Sequence, residues 1–278
     1  MKYTTNGTTK RYMANTNCSY GSFAVSAGDK YQFGCEFEFY IDTDFYDYII
    51  VIEEIAKEIY KFTNVDILVD TIVLPIDNDR NNCIQIKPDH SLQENGIEIS
   101  VPITTRAGIE HFIKKICPII DTYGYTNEET GFHIHISTVH NDGINFNFYK
   151  YMLLCDKAGL LSSWEPRVGY SQNVMDILSS NLKKASRKIK TKKGTIWNVE
   201  KIEPNHVEIK SIGGDSYHTE VTRVTNEFLA YCEYFEKTLS KDTEQDKQMY
   251  IEHKKQVDQV STETGSKFVS ALNEAGIL

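Results

Sequence analysis

YQFGCEFEFYI, residues 31–41, decides how this chain is read. Apolar side chains occupy Phe33, Cys35, Phe37 and Phe39, and Glu36 and Glu38 fall between them, two residues apart. That alternation has the period of a β-strand, which turns positions i and i+2 to one side of a sheet. One side therefore packs on a core. The other carries two carboxylates, which repel each other unless a cation or basic group neutralises them.

Three further stretches repeat the pattern: GIEISVPI (96–103) pairs Glu98 with Ser100, FHIHIST (132–138) pairs His133 with His135, and HVEIKSI (206–212) pairs Glu208 with Lys210. The residue between each pair is Ile99, Ile134 or Ile209, so the polar side looks into water or into a ligand-filled cleft. Taken singly, an ExE pair reads as a solvated face and an HxH pair as a hydrogen-bonded one. Taken together, three carboxylate strands and an imidazole strand favour a metal centre. Carboxylates with an occasional imidazole suit Mg²⁺, with Mn²⁺ as substitute, bridging phosphate oxygens; Zn²⁺ more often recruits several His or Cys ligands.

Outward from these strands the order is α+β. Residues 66–74, 83–87, 195–199 and 206–212 read as further strands. Helices are expected over 45–62, with Ile49, Ile52, Ile55 and Ile59 as the apolar stripe, over 106–123 behind Thr105, and over 146–161, 176–187 and 217–239. Two shorter helices are expected in the polar tail. This gives an N-terminal arm or irregular strand pair (1–30), a single central domain (31–239), which the resemblance described below makes the catalytic one, and a C-terminal helical extension (240–278).

With 278 residues, 40% of them hydrophobic and 12% aromatic, the chain can bury one substantial core, or two small ones sharing a cleft. Thirty Lys+Arg against 39 Asp+Glu give a net charge of −9, which argues against general nucleic-acid binding or attraction to an anionic membrane. The start, MKYTTNGTTKRYMANTNCSYG, lacks the apolar run of a signal peptide, and runs such as Ile49–Ile52 fall far short of the roughly 20 residues that cross a bilayer. Six cysteines without a CxxC pair fit a reducing compartment, with the thiols as small core residues. A soluble, cytoplasmic protein is expected.

FGCEFEF (33–39), DHSLQENGIEISVPI (89–103), TGFHIHIS (130–137) and NHVEIKSIGGDSYH (205–218) resemble, in order and approximate spacing, the motifs of the amidoligase family. These are carboxylate–amine ligases of the glutamine synthetase and glutamate–cysteine ligase superfamily. The family pattern is FG-x-E-x-E, then D-x-S with E-x-x-SP, then G-x-H-x-H, then an N…E-x-R segment, and the resemblance spans about residues 31–238. It implies a mostly antiparallel curved sheet, flanked by helices, that forms an open funnel-like half-barrel as in the glutamine synthetase catalytic domain. ATP and two or three divalent ions would sit in the funnel. A carboxylate would be joined to an amine through an acyl phosphate, with release of ADP and phosphate.

Carried over by residue, Glu36, Glu38, Glu98, His133 or His135, and Glu208 resemble the family's metal ligands, and Asn198 resembles the Asn of the last segment, next to the nucleotide. Glu36, Glu98 and Lys210 are the candidates for the catalytic roles. Three departures stand out, one of them that the tail beyond Leu239 has no counterpart in the family. Lys210 replaces the family's Arg, so it can neutralise phosphate but cannot form the two-pronged contact. Ser100-Val101-Pro102 carries one residue more than the family's SP.

Arg187, Lys188, Lys190, Lys192 and Lys193 form a dense positive cluster in an acidic chain. It reads either as a solvated loop or as a loop that folds over nucleotide phosphates, hinged at Gly194, with Arg187 acting on the transferring phosphoryl group and Lys188, Lys190 and Lys192 holding the nucleotide. No Walker-type phosphate loop is present, so phosphate recognition would rest on metals and side chains. The substrates implied are a small-molecule or peptide carboxylate and an amine, with no membrane partner. Two other classes compete: a cupin-like or hydrolase Zn²⁺/Fe²⁺ site built on His133 and His135, which leaves the ExE strand unexplained, and a non-catalytic module holding a structural cation. Stabilisation by ATP with Mg²⁺ well beyond either alone separates the ligase from both.

Overall fold

The alternation of residues 31–41 becomes strand β3 (Tyr31–Ile41) in a computed structural model of the chain. The structure describes residues 1–18, 23–43, 47–71, 82–140, 145–146, 148–164, 197–198 and 205–240. Contacts divide the chain into two units, Met1–His135 with Ile212–Asn226, and Ile136–Ser211 with Glu227–Leu278. The fold is mixed α+β, with an open sheet and few helices among the described residues.

The first unit is built on β1 (Tyr3–Asn6), β2 (Thr9–Tyr12), β3, α1 (Tyr48–Tyr60), β4 (Ile67–Asp70), β5 (Ile84–Pro88), β6 (Gly96–Thr104), α2 (Arg106–Tyr123), β7 (Gly124–Tyr125) and the greater part of β8 (Gly131–Thr138). Its strands lie in the order β1-β2-β4-β5-β6-β3-β8, with β7 also paired to β3. β4 and β5 run parallel, whereas β1–β2, β2–β4, β5–β6 and β3–β6 are antiparallel. Residues 1–12, within the stretch read as an arm or an irregular strand pair, form a hairpin turned at Gly7 (φ 60°) whose second strand pairs with β4.

Apolar residues align across the sheet: Phe37 lies opposite Ile99, which lies opposite Ile86, and Phe39 lies opposite Ile97. All five are fully buried. The Phe37 ring meets that of Phe132 on β8 at 4.8 Å between centroids. α1 and α2 pack on this sheet and on each other, with Ile52, Ile55, Ala56 and Ile59 of α1 and Ile109, Phe112, Ile113, Ile116 and Ile120 of α2 buried. Thr105 caps α2 by accepting a hydrogen bond from the Gly108 amide. Ile49, read as part of the α1 stripe, is half exposed, because the buried stripe runs through Tyr48, Ile52, Ile55 and Ile59 and leaves Ile49 at its margin.

The stretch 217–239, read as one helix, is divided. A 3-10 turn (Tyr217–Thr219) comes first and α4 (Val221–Thr238) follows. Ser216 stands in the left-handed region (φ 59°), and the Tyr217 hydroxyl donates to the Glu38 carbonyl at 3.0 Å, so the chain is pinned to β3 before the helix begins.

In the second unit, α3 (Phe148–Lys157) and α4 pack through aromatic rings, with Tyr151 6.0 Å from Phe235 and its hydroxyl donating to the Tyr231 carbonyl at 3.0 Å. β9 (Asn145–Phe146) pairs with β12 (Leu239–Ser240), and β10 (Trp197–Asn198) pairs with β11 (Val207–Gly213), each antiparallel. Buried Glu227 accepts from the Trp164 indole at 2.7 Å and from Ser163 at 2.9 Å. The helix read over 176–187, the basic run and the tail beyond 240 lie outside the described residues. No disulfide joins the six cysteines, five of which are buried. No helix among the described residues is long and apolar enough to cross a membrane.

Replacing Phe37 by Ala is expected to cost about 3–5 kcal/mol, since the ring is wholly buried and the strands around it cannot collapse onto the void. Urea unfolding measures this. An unchanged midpoint would place the ring outside the core.

Candidate functional site

The ladders that align the apolar residues also align the polar ones on the opposite side of the sheet. Glu36 on β3 lies opposite Ser100 on β6, and Ser100 opposite Gln85 on β5; Glu38 lies opposite Glu98, and Glu98 opposite Lys87. Two polar rows therefore cross three neighbouring strands. β8, next to β3, adds His133 and His135 from the FHIHI alternation, in which Phe132, Ile134 and Ile136 are buried.

The imidazoles meet the carboxylates directly. His133 Nδ1 is 3.0 Å from Glu36 Oε2, and its Nε2 is 3.3 Å from Glu38 Oε1. His135 Nε2 is 3.4 Å from Glu36 Oε1. A neutral imidazole has one N–H, so His133 can serve both carboxylates only as imidazolium or with a proton on one carboxyl group. At the other end of the row, Lys87 Nζ is 3.0 Å from Glu98 Oε1, and the Ser100 hydroxyl donates to the same oxygen. Glu38, Glu98 and His133 are buried and Glu36 is half-buried.

These neighbours set the two glutamates apart. Burial raises the pKa of Glu36, but His135 and His133 outweigh it and hold the group well below the usual carboxylate range. Burial also raises Glu98, and the charge of Glu36 adds to it; Lys87 and Ser100 offset only part, leaving Glu98 at about 7. Burial disfavours the Lys87 ammonium, yet Glu98, with smaller contributions from Glu36 and Asp89, keeps its pKa above the ordinary value.

The donor set fits a hard divalent cation. Glutamate oxygens dominate it, with imidazole nitrogens beside them, and Glu36 and His135 each offer a ligand atom close enough for one ion to share. The first unit thus brings together Glu36, Glu38, Glu98, His133 and His135 of the residues singled out in the sequence. In the second unit, Glu208 and Lys210 form a buried pair along β11, Nζ to Oε1 2.9 Å, and the Asn198 backbone lies opposite Glu208. Arg187, Lys188, Lys190, Lys192 and Lys193 lie outside the described residues.

Lys87 and Gln85 were not singled out in the sequence. Their signal was present, since CIQIK (83–87) alternates like the other strands and places both opposite to Ile84 and Ile86. An amide and a single ammonium do not repel each other, so that strand carried none of the tension that marked the ExE strand.

No protein-family model matches the chain, and no curated protein matches it. Among solved structures it is similar to a cryo-electron-microscopy structure of Plasmodium falciparum glutamine synthetase, at 12% identity and a TM-score of 0.37, over 75% of this chain and 52% of that one. The chain thus spans about half the length of that protein, and at this level of likeness the functional reading rests on the site's own residues.

The raised Glu98 has a direct thermodynamic consequence. Folded protein holds a proton that the unfolded chain releases between the ordinary value of 4.5 and about 7, so this group favours folding at acid pH and the contribution is lost as pH rises through 7. Glu98→Gln cannot ionise. With a chelator present, it is expected to match the unsubstituted protein near pH 5 and exceed it by on the order of 3 kcal/mol at pH 8. Parallel stability curves for the two proteins would show that Glu98 ionises normally.

Proposed function

We propose that the chain is an ATP- and Mg²⁺-dependent ligase that joins a carboxylate to an amine. One observation carries the reading: Glu36, Glu38 and Glu98 project from adjacent strands onto one side of a sheet, edged by His133 and His135. The order of the four amidoligase-like motifs supplies the reaction. The fold proposed with it is the funnel-like half-barrel of the glutamine synthetase type, and cytoplasmic action on a small-molecule or peptide acid and an amine belongs to the same proposal.

A carboxylate at neutral pH is a poor electrophile, because its charge repels nucleophiles and oxide is a poor leaving group. Transfer of the γ-phosphoryl group of ATP to one carboxylate oxygen replaces that oxide by phosphate. Divalent ions bound to the glutamates would spread the charge that grows on the phosphoryl oxygens. The chain's residues hold and orient: Glu36, Glu38 and Glu98 supply hard oxygen ligands, and one of His133 and His135 joins them while the other donates a hydrogen bond to phosphate. The amine then attacks the acyl carbon, its proton passes to a glutamate carboxylate, and the C–O bond to phosphate breaks. Glu208, Lys210 and Asn198 enter this proposal through the resemblance, as ligand and phosphate contacts, and the basic run 187–193 enters it through its charge, as a covering loop.

Three measurements test it. ATP with Mg²⁺ is expected to raise the melting temperature by far more than either alone, and Glu36→Gln or Glu38→Gln to abolish most of that gain without unfolding the protein. With a reactive acid and amine, ¹⁸O in the substrate carboxylate is expected in the released phosphate. Formation of AMP and pyrophosphate, or metal-dependent hydrolysis that needs no ATP, would replace this reading.

A further inference from the structure

The free site already contains a cation of its own. Lys87 stands on β5 directly opposite Glu98, in a register fixed by the β5–β6 ladder, and Glu98 stands opposite Glu38. Its ammonium lies 3.0 Å from Glu98 Oε1, the oxygen that also accepts from Ser100. That oxygen thus meets an ammonium from β5 and a hydroxyl from its own strand. A divalent ion taking Glu98 as a ligand must either displace the ammonium or lie beside it, and two cations a few ångströms apart repel strongly away from bulk water. Displacement is feasible, since the lysine stem is long and flexible. The released ammonium then sits where only about a quarter of its side chain is exposed, so losing its partner is costly unless another anion replaces it.

We propose that Lys87 is the exchangeable counter-ion of the carboxylate site: it holds Glu98 in the free protein, gives way to a divalent ion, and then pairs with a phosphate group that arrives with that ion. This rests on the cation site described under the proposed function and adds a rule for its occupancy. A bare ion removes an ion pair and leaves an ammonium unmatched. An ion that carries a polyphosphate removes the same pair and supplies the replacement. Binding of ion and phosphate is therefore positively coupled, and by linkage each strengthens the other by the same factor. Lys87 in this way selects a metal–polyphosphate over the free metal, a choice that the glutamates alone do not make.

The test uses the full-length protein, Mn²⁺ as the metal probe and inorganic tripolyphosphate as the phosphate probe. Free Mn²⁺ is counted by electron paramagnetic resonance, so no turnover is needed. Lys87→Met removes the charge, and Lys87→Gln does so while keeping an amide donor for Glu98, which protects the fold if the first variant is unstable. Both are expected to bind Mn²⁺ alone about tenfold more tightly than the unsubstituted protein and to lose most of the enhancement that tripolyphosphate produces. Lys87→Arg is expected to retain the enhancement. Equal or weaker Mn²⁺ binding by both neutral variants, with the unsubstituted protein binding Mn²⁺ in a Glu36-dependent manner, would overturn the role of Lys87 and leave the cation site standing. Absence of Mn²⁺ binding in the unsubstituted protein and in both neutral variants would overturn the two together.

Discussion

The constraint on which this structure turns is the repulsion between carboxylates that a β-sheet holds on one side. A strand has no freedom to separate residues i and i+2, and a ladder has none to separate residues that lie opposite each other. Once Phe37 and Phe39 commit β3 to the core, Glu36 and Glu38 are committed to the other side, and once Ile97 and Ile99 commit β6, Glu98 is placed opposite Glu38. Hydrophobic burial thus forces three acids together. The surroundings make this tolerable: His133 reaches Glu36 and Glu38 with its two nitrogens, His135 reaches Glu36, and Lys87 and Ser100 reach Glu98.

Compensation is uneven, and the unevenness gives the two ends of the site different characters. Glu36 lies between two imidazoles and remains ionised well below the usual range. Glu98 is more deeply buried, feels the charge of Glu36, and has one lysine in return, so it is the carboxylate most easily kept neutral. A site with one firmly ionised and one readily protonated carboxylate can keep a ligand for an ion and a place for a proton within the same pair of rows.

The sequence made the strands legible because alternation is a local property. Period-2 patterns at 31–41, 96–103 and 132–138 each became a strand with the expected side buried, and α2 begins directly behind Thr105, where the helix was read to start. Which strands are neighbours was not legible. That Lys87 lies opposite Glu98, and Glu98 opposite Glu38, depends on register between segments separated by turns of unreadable geometry. Lys87 went unnoticed although its own strand was recognised, because a lone ammonium carries no tension on its own strand and only the register sets it against Glu98. The division of 217–239 was missed for a similar reason: a hydrogen bond from Tyr217 to the backbone of Glu38, 179 residues away in sequence, fixes the chain ahead of α4, and helical periodicity says nothing of it.

The same register explains why the rows hold together without help from loops. Each polar residue is carried by a strand whose other side is sealed into the core, so moving any one of Lys87, Glu98 or Glu38 means sliding a ladder and exposing Ile86, Ile97, Ile99, Phe37 or Phe39. A slip of one residue reverses every side chain on the strand. The charged rows are therefore rigid at the backbone and adjustable only at the side-chain tips. Lysine, with the longest stem of the set, has the widest reach, whereas His133 is fixed at both nitrogens. Any rearrangement that accommodates a ligand should thus begin at the β5 end of the row, because that is where a charge can move without the core moving with it.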